Sequence, residues 1–347
     1  MSKIAIIGLG LIGGSIGLGL KESRSPGLEV FGYDTDYEVG KRAVRRGAID
    51  KAPWHLPDVV EGANMVILAT PVMAIREVME TIAEMLSPGC VVTDTGSTKK
   101  AVMDWAEEYL PKEVSFVGGH PMAGKELSGI NNADSKLFQG GRYVVIPDKR
   151  AKEDAVKSVL DLVDLLGARP YFLQAQEHDS YVAAVSHLPM ILSTVLTSAT
   201  AKSPSWREIS KLAATGFRDV SRLASGDPVM HLDICVTNKE SIVYWLNETI
   251  KELQIYRDMI GGVDDEVNAR QLGDSFAKAW ESREMWLFRY NSGQDEDDSS
   301  TKPNLPSASE SLADLFVGTR LRERYQQMFA LQERKDKERS QRRRRGR

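Results

Sequence analysis

The chain has 347 residues, and its contents of 42% hydrophobic and 27% charged residues are typical of a soluble protein with a packed core. The net charge of −4 combines a basic end, in which residues 332–347 carry nine basic and three acidic side chains, with an acidic remainder of net charge −10. An acidic body with one short basic tail excludes a typical nucleic-acid-binding domain, so we expect no nucleic-acid partner.

The first 173 residues alternate short β-rich runs with amphipathic segments. The runs that we predict as strands span residues 3–8, 29–34, 65–70, 90–95, 115–119, 142–147 and 168–173. Helical patterns separate most of these runs, at Gly14–Glu22, Tyr37–Arg46, Val72–Leu86 and Ala151–Leu166. This alternation predicts an α/β domain over residues 1–173, with a mostly parallel sheet that carries helices on both faces.

A glycine-rich turn follows the first predicted strand and opens the first helix. Gly8, Gly10 and Gly13 match the pattern G-x-G-x-x-G. In dinucleotide-binding domains the first glycine permits a tight turn, the second lets the backbone approach a pyrophosphate, and the third lets helix and strand pack closely. We therefore expect a dinucleotide to bind along the backbone of Gly8, Leu9, Gly10, Leu11, Ile12 and Gly13.

Two later positions extend this predicted cofactor site. Asp34 ends the second strand, 21 positions beyond Gly13, where a carboxylate accepts hydrogen bonds from ribose hydroxyls and repels a 2′-phosphate. NAD is therefore favoured over NADP, although Asp36 could take this place if the turn is shifted. Thr70 and Pro71 follow the third strand at the same edge of the sheet, either as further cofactor contacts or as a simple turn.

From about Gln174 the pattern changes to helices only, up to residue 290. Asp227 and Pro228 form an N-cap followed by proline at the first helical position. A one-faced apolar stripe, typical of a core or a subunit interface, then ends at Gly261; it consists of Ile242, Trp245, Leu246, Ile250, Leu253 and Ile260. Residues 291–347 read as an acidic, largely flexible linker, a short helix over Ser311–Leu331 and a basic tail.

Three features bear on the cellular compartment. Apolar sequence begins at Ile4, with no basic and apolar signal peptide before it. The longest apolar stretch, Val182–Ala201, is broken by Pro189 and by polar residues, so we interpret it as a buried helix and not as a membrane span. Cys90 and Cys235 lie far apart in apolar surroundings. We therefore expect a cytoplasmic protein with no disulfide, no metal site and no membrane contact.

Four more motifs follow the glycine-rich turn: "DTGST" at 94–98, "GGHPMAG" at 118–124, "VSHLP" at 185–189 and "GFRDVSR" at 216–222. In this order, the five motifs resemble the prephenate/arogenate dehydrogenase family over about residues 2–290. The resemblance implies a Rossmann-type domain, then an all-helical domain that carries the substrate site and joins two subunits into a homodimer. It also implies an NAD-dependent oxidative decarboxylation that converts prephenate to 4-hydroxyphenylpyruvate, in tyrosine biosynthesis.

The same resemblance implies which residues carry out the chemistry. His120 would accept a hydrogen bond from the substrate hydroxyl, acting as a general base while that carbon is oxidised. The glycines around it would leave room for the substrate ring and the nicotinamide. Ser97 would hold either the same hydroxyl or His120 in line. Both residues are therefore expected to be catalytic.

Further residues are implied in substrate binding. Arg222 would grip a substrate carboxylate with two parallel hydrogen bonds, and the nearby Arg218 is the competing candidate. His187 would orient the substrate or the nicotinamide. Glu126 would lie at the mouth of the pocket, near the substrate side chain, and Gly216 opens the motif that carries Arg222.

Some alternatives stay open at this point. Some prephenate-specific relatives carry a histidine where this chain has Met190, and apolar residues occur there in relatives that use arogenate. Glu126 occurs instead in relatives that use prephenate, so an arogenate or dual-specificity cyclohexadienyl dehydrogenase remains the alternative. We interpret the remaining histidines as a loop residue, His55, and as helix-surface or cap residues, His178 and His231.

Two other functions would make different demands on the residues of this chain. A β-hydroxyacid dehydrogenase would use a lysine and a nearby asparagine in the helical domain, an arrangement that Lys211 and Lys239 lack. A non-enzymatic NAD-binding protein would not need His120, Ser97 and Arg222 together. A test of NAD reduction with prephenate separates the second reading from an enzyme.

Overall fold

The structure is a computed structural model, and it describes residues 2–23, 25–124 and 127–292. Glu126 therefore lies outside the described residues, and so do the expected linker, the Ser311–Leu331 helix and the basic tail. Within the described residues the chain forms two compact units, which divide between Asn247 and Glu248. The first unit holds the sheet and the helices up to the start of a long helix that ends at Gly261.

Seven strands in the described part of the chain form one sheet, in the order β2-β1-β3-β4-β5-β6-β7. Their bounds are β1 (Ser2–Ile7), β2 (Leu28–Tyr33), β3 (Met65–Leu68), β4 (Val91–Asp94), β5 (Ser115–Pro121), β6 (Arg142–Pro147) and β7 (Arg169–Phe172). Only β5 and β6 pair in antiparallel fashion. The predicted strands and the mostly parallel sheet are confirmed.

The helices alternate with the strands up to β7, and only helices follow it. Their bounds are α1 (Leu11–Glu22), α2 (Tyr37–Arg45), α3 (Leu56–Val60), α4 (Val72–Ile82), α5 (Lys100–Tyr109), α6 (Glu153–Leu165), α7 (Ala175–Val182), α8 (Leu188–Ala201), α9 (Trp206–Ile209), α10 (Thr215–Ser221), α11 (Pro228–Thr237), α12 (Lys239–Gly261) and α13 (Glu266–Ser292). A turn of π-helix, Ala183–His187, joins α7 to α8. A Rossmann-type domain followed by helices is therefore the observed fold.

The sheet is covered on both faces, and this explains its sequence. All four residues of β3 and all four of β4 are buried, so these strands are continuous apolar runs without the alternation of a half-exposed strand. One face packs against α1 and α6, and the other packs against α4 and α5. The carboxyl ends of the central strands are left at one edge, where ligands of open α/β sheets bind.

Carboxylates from the helical region fix the first turns of two helices that follow central strands. Asp233 of α11 accepts a hydrogen bond from the Met73 N–H at the start of α4, at 3.1 Å. Asp179 of α7 accepts hydrogen bonds from the N–H groups of Lys99 and Lys100 at the start of α5, at 2.7 and 2.9 Å. Negative charge at a helix N-terminus is stabilising, so these contacts hold the helices against the carboxyl edge of the sheet.

The expectation of a buried helix at Val182–Ala201 is wrong for the single chain. The continuous helical segment Ala175–Ala201 is long and apolar enough to span a membrane, yet only 28% of its most apolar window is buried. Val185 and Val195 are 71% and 53% exposed, while polar residues of the segment such as His178 and His187 are buried. The inward face carries these polar side chains together with Val182, Ala183 and Met190, which are also buried.

The predicted helix signals further along hold in part. The Asp227 side chain accepts hydrogen bonds from the N–H groups of Val229 and Met230, as an N-cap does, and α12 ends at Gly261 as predicted. Only the first part of the apolar stripe is buried. Ile242 is buried, whereas Ile250, Leu253 and Ile260 are each at least half exposed.

Candidate active site

The glycine-rich turn has the shape that a bound pyrophosphate requires. Gly8 has a φ of +92°, and a side chain there would start 2.4 Å from the Ala69 carbonyl oxygen. At Gly13 a Cβ would lie 1.9 Å from the Gly8 carbonyl oxygen, so strand and helix can approach only with glycine. Gly10, at the start of α1, has no atom within 4 Å of such a Cβ. The open space before a helix N-terminus therefore fits a dinucleotide phosphate.

Two of the residues between these glycines, Leu9 and Ile12, direct their side chains into the core. Leu9 is fully buried in the core, and Ile12 packs against the same cluster while Leu11 begins α1. The backbone N–H of Leu9 donates a hydrogen bond to Asp34 Oδ2 at 2.9 Å. The backbone, and not the side chains, is therefore the part of the turn that a ligand would meet.

Asp34 lies directly after β2, beside a cleft of about 560 Å³. The cleft is lined by Tyr33, Asp34, Thr35, Asp36, Tyr37, Glu38, Lys41 and Trp54. The cation in this lining, Lys41, lies 2.7 Å from Glu38, and the neighbouring Arg42 lies 3.6 Å from Asp36. A phosphate entering this cleft would have to compete with these carboxylates, whereas a ribose hydroxyl would not.

Thr70 and Pro71 lie at the end of β3, next to the glycine turn. The Thr70 hydroxyl is buried and makes no hydrogen bond to any described residue. Pro71 is exposed and occupies the N-cap position of α4. An unpaired buried hydroxyl costs free energy unless a ligand or water pairs with it, so Thr70 fits a polar ligand.

His120 lies in β5, at the carboxyl edge of the sheet, and its Nδ1 is 2.8 Å from Nε2 of His178. Burial lowers the pKa of His120 well below its usual value, and the positive charges that His178, Lys99 and His187 can carry lower it further. His120 is therefore neutral at neutral pH. A neutral imidazole at this edge can accept a proton.

A buried ion pair supports the strands beneath His120. Lys99 and Asp94 are both fully buried, and the Lys99 ammonium pairs with Asp94 Oδ2. The Asp94 carboxylate also accepts hydrogen bonds from the N–H groups of Gly96, at 2.8 Å, and Gly119, at 3.1 Å. The pair thus ties the turn after β4 to the residue that precedes His120.

The interpretation of His178 as a helix-surface or cap residue is wrong. Its side chain is fully buried, with Nε2 against His120 and Nδ1 2.8 Å from Asp179 Oδ1. Burial lowers its pKa, and the hydrogen bond to Asp179 opposes this shift. The sequence carried one signal of this buried position, because the adjacent His178 and Asp179 lie on the same helical segment as His187. His55 and His231 lie at the starts of α3 and α11, in line with their interpretation.

His187 is buried and presents an unpaired ring nitrogen. Asn238 Nδ2 donates one hydrogen bond to the Asp179 carbonyl oxygen, at 2.7 Å, and its other proton points to His187 Nδ1, at 3.2 Å. Nδ1 of His187 is then the acceptor, so the ring proton is on Nε2, which has no partner among the described residues. Burial lowers the pKa of His187 to about 4, so the ring stays neutral and offers one N–H donor.

The other predicted residues lie nearer the surface. Ser97 is partly exposed in the turn after β4, and its hydroxyl makes no hydrogen bond to a described residue. Gly216 and Arg222 are exposed, on α10 and on the 3₁₀ turn that follows it. Arg218 is exposed and pairs with Asp219 at 3.0 Å. The structure therefore brings His120, His178 and His187 together, while no hydrogen bond links Ser97 to this cluster.

Comparison with known proteins identifies the family. Residues 16–172 match the prephenate dehydrogenase nucleotide-binding domain, and residues 174–276 match the prephenate dehydrogenase dimerization domain. The prephenate dehydrogenase of Bacillus subtilis is 36% identical over 265 residues, which are 76% of this chain and 71% of that protein.

Solved structures agree with this assignment. Prephenate dehydrogenase from Aquifex aeolicus, in complex with hydroxyphenyl propionate and NAD⁺, has a TM-score of 0.73 at 29% identity, over 81% of this chain and 98% of that one. Synechocystis arogenate dehydrogenase has a TM-score of 0.66, also at 29% identity, over 81% of this chain and 99% of that one. The chain therefore belongs to the prephenate dehydrogenase family.

Proposed function

We propose that the chain is an NAD-dependent prephenate dehydrogenase, which oxidises and decarboxylates prephenate to 4-hydroxyphenylpyruvate. The observation that carries this proposal is the His120 imidazole at the carboxyl edge of the sheet, in contact with His178, together with the buried, unpaired ring nitrogen of His187. One group accepts a hydroxyl proton and the other can bind an oxygen of the substrate or the nicotinamide amide. This combination is suited to oxidation of an alcohol.

The cofactor site supports NAD as the oxidant. The backbone of residues 8–13 would hold the pyrophosphate, Asp34 the ribose hydroxyls, and Thr70 with Pro71 the part nearer the nicotinamide. When bound, NAD supplies the hydride acceptor of the reaction. The Asp34 carboxylate keeps free lone pairs although it accepts two backbone hydrogen bonds, from Leu9 and Asp36.

His120 takes the proton of the ring hydroxyl, while the carbon that bears this hydroxyl gives up a hydride to the bound oxidant and becomes a carbonyl. The opposite ring carbon loses carbon dioxide, and its bonding electrons complete the aromatic ring. Because aromatisation drives the reaction, the protein's tasks are orientation and removal of this proton. General-base assistance of this kind contributes about 10²–10⁴-fold to the rate.

Other residues would orient the substrate. Ser97, whose hydroxyl has no partner among the described residues, would hold the reacting hydroxyl or His120 in line. Arg222 would bind a carboxylate as a planar, permanently charged donor. Glu126 would contact the substrate side chain, and Gly216, which carries no side chain, would leave room beside Arg222.

The assembly that we propose is a cytoplasmic homodimer. Its nucleotide-binding domain is residues 1–173, and its helical substrate and dimerisation domain is residues 174–290. The exposed apolar side chains of the helical segment Ala175–Ala201, including Val185 and Val195, support burial against a second copy, since a patch of this kind is unfavourable in water. The match of residues 174–276 to a dimerization domain supports the same assembly.

Arogenate is the second candidate substrate, and Met190 is the observation that favours it. Its side chain is buried, one helical turn beyond His187, so this position offers the substrate no hydrogen-bond donor. A cyclohexadienyl dehydrogenase that accepts both compounds is the intermediate case. The site would then distinguish prephenate from arogenate only through its contacts with the substrate side chain.

Steady-state kinetics of the purified full chain test the proposal. kcat/KM is measured by NADH or NADPH absorbance for prephenate and for arogenate, each with NAD and with NADP. We expect the highest value for prephenate with NAD. A higher value for arogenate selects the second candidate, and turnover with neither compound contradicts both.

A further inference from the structure

Behind His120 lies a row of buried side chains that hydroxyl deprotonation alone does not account for. Nδ1 of His120 is 2.8 Å from Nε2 of His178, and Nδ1 of His178 is 2.8 Å from Oδ1 of Asp179. His178 and Asp179 are buried and belong to α7, whereas His120 belongs to β5. The row therefore joins the helical region to the proposed base.

The positions of the protons along this row follow from its far end. Asp179 accepts backbone hydrogen bonds from Lys99 at Oδ1 and from Lys100 at Oδ2, as a carboxylate at a helix N-terminus does. A carboxylate only accepts, so Nδ1 of His178 must carry the proton that it shares with Oδ1. Burial lowers the pKa of His178, so the ring is neutral at neutral pH and its Nε2 has a lone pair.

The position of the proton on the His120 ring follows in the same way. Its contact with the lone pair of His178 Nε2 requires a donor, so the proton of the neutral His120 ring is on Nδ1. Its Nε2 is left unprotonated, with the lone pair that a general base needs. The opposite tautomer would place two lone pairs 2.8 Å apart.

We propose that His178 and Asp179 are positioning residues, which hold His120 as the Nδ1–H tautomer so that Nε2 accepts the proton of the substrate hydroxyl. This rests on the proposed function, in which His120 is the base. After proton uptake His120 carries protons on both nitrogens, and Nδ1–H still donates to His178. The row therefore orients the ring before the reaction and stabilises the imidazolium that forms.

The surroundings make this support necessary. The charged and titratable groups around the two rings are Lys99 and its partner Asp94 from β4 and the turn after it, Asp179 from α7, His187 from the π-helical turn, and Tyr143 from β6. Lys99 disfavours a cation on His120, and burial raises the pKa of Tyr143 so that its hydroxyl stays neutral. Within this set, the acceptor that contacts His120 is His178.

Kinetics of two variants of the full chain test the proposal. His178→Leu removes the acceptor, whereas His178→Gln supplies a side-chain oxygen near the former Nε2. We expect His178→Leu to lower kcat by roughly 10²-fold with KM changed by less than about 3-fold. His178→Gln should recover at least about tenfold of that loss, because its oxygen accepts the Nδ1 proton.

The pH profile separates positioning from a merely structural role. The neutral His178 ring contributes an acceptor and no positive charge, so the His120 imidazolium loses stabilisation in His178→Leu and the acid limb of the kcat profile should move to lower pH. A folded His178→Leu variant with near-normal kcat and an unmoved acid limb would overturn the proposal. Equal losses in the Leu and Gln variants would do the same, since packing would then explain both.

A measurement without substrate covers the case in which these variants do not fold. The ¹⁵N shifts of the His120 ring in the wild-type chain, assigned by comparison with His120→Asn, should show a protonated Nδ1 and an unprotonated Nε2 at neutral pH. An Nε2–H tautomer would overturn the proposal whatever the activity. A wild-type chain that oxidises neither prephenate nor arogenate would instead overturn the proposed function.

Discussion

Asp34 is the residue that sets the cofactor preference in this account. Its carboxylate faces a cleft in which Lys41 is paired with Glu38, and the neighbouring Arg42 lies 3.6 Å from Asp36. We expect kcat/KM to favour NAD over NADP by roughly 10²-fold, because a phosphate dianion near a carboxylate costs a few kcal/mol in a partly solvated site. Asp34→Ser should reduce the preference mainly by improving NADP use.

The control for this prediction is Asp161→Ser, at an exposed position of α6 outside the cleft, which should leave the preference unchanged. If the wild-type chain uses both cofactors equally well, Asp34 does not act as proposed. Lys41 or Arg42 would then reach the phosphate despite their carboxylate partners.

Arg222 carries the predicted binding of a substrate carboxylate. Hydrogen bonds to charged groups contribute about 1.5–3 kcal/mol, and Arg222 is exposed in the single chain, so we take about 2 kcal/mol. Arg222→Ala should raise KM about 30-fold with a smaller change in kcat. Arg218→Ala is the matched control, since Arg218 pairs with Asp219. If KM rises strongly in Arg218→Ala and not in Arg222→Ala, Arg218 is the residue that binds the carboxylate.

At the residue scale, the sequence was sufficient to predict the features that depend on residues close together in the chain. The tight turn at Gly8 and the close approach at Gly13 could be predicted because they depend on one strand, one turn and one helix. His178 could not, because its contact with His120 spans 58 positions and exists only once α7 docks on the sheet. The neutral state of His120 likewise comes from burial among distant residues.

At the scale of elements, the docking of α11 on the sheet can be tested through Asp233. This buried carboxylate accepts the Met73 N–H in the first turn of α4. Asp233→Ala should lower the free energy of unfolding by about 1–2 kcal/mol, the usual cost of losing a helix cap, measured by denaturant unfolding at one protein concentration. Asp233→Asn keeps an acceptor and should lose less.

Asp161→Ala, at an exposed position of α6, is the control and should leave the free energy of unfolding nearly unchanged. An unchanged value for Asp233→Ala would mean that the hydrogen bond to Met73 does not stabilise the docking of the two elements.

The strands were predictable because a sheet covered on both faces requires continuous apolar runs. The helix Val182–Ala201 was misjudged for the complementary reason. Its apolar composition indicates that the helix is buried but does not indicate which surface covers it. In the single chain Val185 and Val195 remain exposed. A subunit partner is information that composition alone does not carry.

For the whole molecule, we predict that residues after Tyr290 are dispensable for the chemistry. His120, His187 and Asn238 all belong to the compact unit that ends at Asn247. A chain ended after Tyr290 should keep its kcat for prephenate, although its dimer could be less stable. Loss of activity in a truncated protein that remains folded and dimeric would show that the tail contributes to the active site.

The central claim is that His120 removes the hydroxyl proton, and the kinetics of His120→Asn test it most directly. Asparagine can still donate a hydrogen bond toward His178 but cannot accept a proton at neutral pH. We predict that kcat for prephenate with NAD falls by about 10²-fold or more, while KM and NAD affinity stay close to wild type. Near-normal turnover in this variant would contradict the account.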